Sequence, residues 1–64
     1  MEEFGKRLRE LRTEKGLSAM ALSKIVNVSD GSIIGWENNR YDIKSEYLIR
    51  LSKFFGVSTD YLLG

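Results

Sequence analysis

Apolar residues recur along the chain at helical spacing. Phe4, Leu8 and Leu11 stand at i, i+4 and i+7, which predicts a helix from about Glu2 to Lys15 with one buried stripe, ending at Gly16. Arg12 falls in that stripe, four residues after Leu8, where an apolar side chain is expected, so it needs a buried partner or a ladder of acceptors. From about Ala19 to Val26, residues Ala19, Ala21, Leu22, Ile25 and Val26 form a broad buried arc, with Ser23 and Lys24 on the solvent side and Met20 exposed between them. A third helix, about Asp30 to Asn38, divides sharply: Ser32, Ile33, Trp36 and Glu37 share the core side, and Asp30, Gly31, Ile34, Gly35 and Asn38 the other. Glu37 sits on the buried side one turn after Ile33 and poses the same problem as Arg12. The simplest solution is a salt bridge between them; the alternative is that both snorkel to solvent. After an irregular stretch from Asn39 to Lys44, a fourth helix from about Ser45 to Phe55 buries Leu48, Leu51, Ser52 and Phe55, and Gly56 ends it. Its flanking Tyr47 and Phe54 are either the rim of the core or a subunit contact, and its cap lies among Asp42, Lys44 and Ser45. Ser58 caps a last short helix whose Leu62 and Leu63 close the core.

The stretch Leu17 to Arg40 organises the rest. It reads as two short helices, capped at Ser18 and Ser29, joined by a turn in which Asn27 reverses the chain and Val28 anchors it. Helix, tight turn, helix, from about residue 18 to 38, is the helix-turn-helix arrangement, whose second helix commonly enters the DNA major groove.

The ordered set Leu17-Ser18, Ala21-Leu22-Ser23, Asn27-Val28-Ser29, Ile33, Trp36-Glu37-Asn38, Phe55-Gly56-Val57-Ser58 and Asp60-Tyr61-Leu62-Leu63 resembles the Cro/cI-type, or XRE-like, helix-turn-helix regulators, a family that includes the N-terminal domains of phage repressors. The resemblance covers essentially the whole chain. It implies an all-α, compact five-helix, lambda-repressor-like DNA-binding domain over residues 1–64, working as a sequence-specific transcriptional regulator, a repressor by this likeness. It also implies a buried bridge between an arginine late in the first helix and the glutamate of the Trp-Glu pair, in agreement with the Arg12–Glu37 reading. By the same resemblance, bases are contacted from Asp30, Gly31, Ile34 and Gly35. Three positions depart from the family: Ala19 stands where a glutamine is common, Asn39 where glycine is usual, and Ile43 where proline is customary. Asn39 still suits a left-handed residue closing the third helix.

Composition narrows the chemistry. A chain of 64 residues holds one domain with one core and buries only about 60% of its unfolded surface. With no cysteine and no histidine it has neither a disulfide framework nor the usual zinc ligands, so no metal or other cofactor is expected. No enzymatic constellation is visible either, because the carboxylates sit at helix starts or beside basic partners. No stretch approaches the roughly 18 apolar residues of a membrane span, and a cytoplasmic protein without membrane contact is expected. The chain stops after Leu62-Leu63-Gly64, as a domain of a longer regulator would.

A formal net charge of +1 is a weak electrostatic footprint for nucleic acid. The cations of the first helix share it with glutamates at helical spacing, as in Glu2 to Lys6, Glu3 to Arg7 and Lys6 to Glu10, which reads as a self-paired solvated face. At the expected reading face there is no long amide or guanidinium for bidentate base recognition. What remains is Asp30 to accept from a cytosine, Ile34 to meet a thymine methyl, and glycines that let backbone approach. Gly35 faces the groove in this reading, and alanine there is expected to stabilise the helix. Phosphate contacts are expected from Ser18, Ser29, Asn38, Arg40 and Lys44; the alternative is that the two serines are caps only and that Asn38 and Arg40 are simply solvated. The expected partner is double-stranded DNA, bound by a homodimer. The rival is a protein-interaction or dimerisation domain that kept the fold and lost base readout, using exposed Met20 and Ile34.

Overall fold

The computed structural model describes residues 2–64, apart from the side chain of Glu2. Five helices follow one another: α1 (Glu2–Glu14), α2 (Ala19–Val26), α3 (Asp30–Glu37), α4 (Ser45–Phe55) and α5 (Thr59–Leu63). No strand occurs among the described residues, and no helix is long and apolar enough to cross a membrane.

Short polar side chains set where these helices begin. Ser18, Ser29 and Ser58 hold extended backbone, and their hydroxyls accept from the N–H groups of Ala21, Ser32 and Tyr61 at 3.0, 3.1 and 2.9 Å. Each satisfies a donor that the first turn leaves unpaired. The cap of α4 is Lys44, whose side chain makes no capping bond. Helix ends are set by residues that tolerate left-handed backbone: Gly16 (φ 68°), Asn27 (59°), Asn39 (57°) and Gly56 (68°). After each, the chain wraps back, so that Leu17, Val28, Arg40 and Val57 donate to the carbonyls of Arg12, Ser23, Gly35 and Ser52 at 3.1, 2.9, 2.8 and 3.0 Å.

The core takes Phe4 and Leu8 from α1, Leu22 and Val26 from α2, Ile33 and Trp36 from α3, Leu51 from α4 and Leu62 from α5. Burying each such side chain is worth about 1.5–3 kcal/mol before the entropy of ordering it. Trp36 is 5% exposed and lies 5.8 Å from the ring of Tyr47, as expected of a core tryptophan. Leu11, Leu48, Tyr47, Phe54 and Phe55 are half-buried around this centre.

Two arginines stitch distant helices by taking carbonyls at helix ends, where positive charge also meets the negative end of the helix dipole. Arg50 of α4 donates to the Val26 carbonyl at 3.0 Å, and Arg7 of α1 donates to the Tyr61 carbonyl at 3.0 Å while its guanidinium lies 4.6 Å from the Tyr61 ring centroid. The expected Glu3–Arg7 pair forms at 3.6 Å, whereas Lys6 and Glu10 do not pair among the described residues. The expected Glu2–Lys6 pair falls on a side chain outside the described residues.

Two apolar assignments are corrected. On α2, Ser23 is buried (4% exposed) and Ile25 is exposed (49%), the reverse of the expected faces. The Ser23 hydroxyl donates to the Met20 carbonyl at 2.6 Å, so its polarity is satisfied within its own helix and its small size lets α2 pack closely. On α5 only Leu62 enters the core; Leu63 is exposed, because so short a helix has a single residue at the required angle.

Candidate functional site

The site is built on α3, and its orientation is fixed from behind. The Arg12 guanidinium grips the Glu37 carboxylate as a fork, Nε to Oε2 at 2.6 Å and Nη2 to Oε1 at 2.9 Å, and its Nη1 donates to the Leu17 carbonyl at 2.8 Å. One side chain thereby ties α1, the turn before α2 and the end of α3 together. Both partners are largely out of solvent, with side chains 14% and 6% exposed. The hydrogen bonds to Glu37 hold the Arg12 guanidinium charged beyond its ordinary range, with the attraction between the charges adding to them and burial opposing. The expected buried bridge is present.

At the other end of α3, Ser29 caps the helix and its hydroxyl lies 2.9 Å from that of Ser32. Asp30, in the first turn, accepts from the Gly31 N–H at 2.9 Å and remains exposed. A side chain added at Gly31 would meet only the Ser29 hydroxyl, at 3.8 Å, so the helix backbone is open there. Ile34 is 43% exposed. Asp30, Gly31, Ile34 and Asn38 thus share the outward side of a helix whose inward side is Ile33, Trp36 and Glu37.

Gly35 departs from expectation. It belongs to the outward side by angle, yet it is buried, because the Tyr41 ring occupies the space a Cβ would need. An added methyl would overlap the ring edge and stand 3.3 Å from Tyr41 Cζ. Gly35 therefore presents no open backbone, and alanine at this position gains helix propensity only by pushing the ring away. Of the residues expected at phosphates, Ser18 and Ser29 are exposed and act as helix caps. Asn38, Arg40 and Lys44 are exposed, and among the described residues their side chains have no hydrogen-bond partner in the protein.

Residues 5–64 match the helix-turn-helix domain family. The chain belongs to that family. It is similar to the HTH-type transcriptional regulator ImmR of Bacillus subtilis (strain 168), with 35% identity over 61 residues that cover 95% of this chain and 48% of that protein. It is also similar to Repressor protein C2 of Salmonella phage P22, with 39% identity over 60 residues that cover 94% of this chain and 28% of that one. The chain therefore spans about half the length of the first relative and under a third of the second. Its fold is similar to that of the P22 c2 repressor crystallised with synthetic operator 9T, with a TM-score of 0.90, 35% identity, and coverage of 97% of this chain and 94% of that one. The five-helix, repressor-like architecture expected from the resemblance is the architecture found.

This helix-turn-helix domain also carries two features that its sequence did not reveal. Gly5 lies inside α1 and is buried where α1 crosses the end of α3. A Cβ there would strike the Glu37 carbonyl, and would lie 2.8 Å from the Trp36 carbonyl and 2.9 Å from Asn39 Nδ2. The available signal was a glycine in a helix interior, which weakens the helix unless close packing requires it. Tyr41 is the second. It stands in an irregular stretch with no periodicity to place it, and only the wrap at Asn39 brings it back along α3.

Proposed function

We propose that this domain binds double-stranded DNA as a sequence-specific transcriptional regulator, a repressor by analogy with Repressor protein C2, placing α3 in the major groove. It is a binding module without catalysis, cofactor or metal, and it acts on DNA in the cytoplasm. The observation that carries this reading is the outward side of α3. It is a small, exposed surface of Asp30, Gly31 and Ile34 on a helix locked from behind by a buried ion pair, in a fold similar to a repressor crystallised with a synthetic operator. In this reading Asp30 accepts from a cytosine amine and Ile34 packs on a thymine methyl. Arg40 and Lys44, with Ser18, Ser29 and Asn38, contact phosphates and set the register. Gly35 serves indirectly, as the seat of a side chain beside the reading surface.

Titration of duplex DNA at two salt concentrations tests it. Two cations per domain, in a pair of domains, neutralise about four phosphates, so affinity should fall on the order of 10²-fold between about 50 and 200 mM salt. A profile flat in salt would defeat the DNA reading and favour a protein partner on the exposed Met20 and Ile34.

A further inference from the structure

Gly35 and Tyr41 form a unit with no role in the core. The glycine lies on the outward side of α3, and the ring fills the place its side chain would take. Two backbone bonds hold this arrangement: the Asn39 N–H donates to the Trp36 carbonyl at 3.2 Å, and the Arg40 N–H donates to the carbonyl of Gly35 itself at 2.8 Å. The left-handed turn at Asn39 (φ 57°) thus delivers Tyr41 back onto the helix it follows. The residue is nevertheless 57% exposed, and among the described residues its hydroxyl has no hydrogen-bond partner in the protein. A ring anchored along one edge, with its polar end unengaged, is prepared to meet something outside.

We infer that Tyr41 is a DNA-backbone contact, its hydroxyl donating to a phosphate oxygen beside the groove that α3 enters, and that Gly35 is the positioning residue that holds its ring. This deepens the DNA-binding reading and rests on it. Base edges are met by the N-terminal residues of a recognition helix. Tyr41 follows the C-terminal end of α3, flanked by the exposed cations of Arg40 and Lys44, with Asp42 as the one carboxylate in that stretch. Tyrosine hydroxyls are among the side-chain groups that contact phosphates, and such contacts fix how a protein sits on the duplex. A ring braced on the helix backbone would set the depth of α3 in the groove, which flexible lysine and arginine side chains do less well.

The test uses the whole chain, a random-sequence duplex at low salt, and a duplex selected by the parent protein from a random pool. Tyr41→Phe keeps the ring and removes only the donor. It should melt at the parent temperature and weaken binding on the order of tenfold, by the same factor on both duplexes, because a phosphate contact is blind to sequence. Its salt slope should match that of the parent, since no charge is lost. Gly35→Ala should lose at least as much affinity by dislodging the ring, and Gly35→Ala with Tyr41→Ala should bind no worse than Tyr41→Ala alone. If the parent binds both duplexes and Tyr41→Phe binds as tightly, the inference is wrong while the DNA reading stands. It is equally wrong if the loss is confined to the selected duplex, or if the losses at Gly35 and Tyr41 multiply. A parent that does not bind the random-sequence duplex and enriches nothing from the pool overturns the DNA reading and this inference with it.

Discussion

Arg12 and Glu37 come from different helices, and each is of the wrong chemistry for the stripe it occupies. Their forked bond at 2.6 and 2.9 Å resolves both violations at once. Removing one partner strands the other, so Glu37→Ala and Arg12→Ala should each cost about 3–5 kcal/mol, and the double variant much less than their sum. Thermal or urea unfolding of the four proteins in the cycle reads this directly; additive losses would mean that the pair contributes no coupling. The bridge was legible in the sequence because a charge on an apolar stripe is conspicuous. Ser23 and Ile25 were not, because a helical wheel assigns faces by polarity, and the Ser23 hydroxyl spends its polarity on the Met20 carbonyl of its own helix. Tyr41 was illegible for another reason. An aromatic residue in an irregular segment has no period, and its partner at Gly35 is marked only by having no side chain.

The boundaries of the elements were the most readable part of the chain. Serines at three starts and left-handed Gly or Asn residues beyond four ends act through bonds within a few residues, so local sequence suffices to find them. How α1 meets α3 is a different matter. Gly5 and Arg12 stand seven positions apart and so lie two turns apart on one face of α1, and both engage Glu37, one at its carbonyl and the other at its carboxylate. Gly5→Ala sets two effects against each other. Alanine favours the helix by roughly 0.5–1 kcal/mol, but its methyl would collide with the Glu37 carbonyl, a backbone group that cannot swing aside as the end of a side chain can. The collision should prevail, for a net loss of about 1–3 kcal/mol, visible as a lower melting temperature with helix content by circular dichroism unchanged below the transition. A melting temperature at or above the parent's would show that the crossing of α1 over α3 is looser than the contact distances imply.

At the scale of the molecule, size governs how DNA can be read. The domain extends only 24 × 24 × 20 Å, and its outward face on α3 reaches a few base pairs. A regulator built from it should engage two related half-sites about 10 base pairs apart, centre to centre, one domain on each. Sequences enriched from a random pool should therefore contain a repeated element at that spacing, and a single unrepeated element would contradict paired binding. The same compactness has a bearing on synthesis. Leu62, which completes the core, and the Tyr61 carbonyl held by Arg7 of α1 are contributed by α5, the last helix in chain order. Helices of 8 to 13 residues are marginal on their own, so α1 to α4 depend on one another, and the core they build lacks its Leu62 side while this stretch is still inside the ribosome. The core is then completed in a late step, when α5 docks on α1, and a nascent chain halted short of Leu62 should be cut by protease more readily than the finished domain.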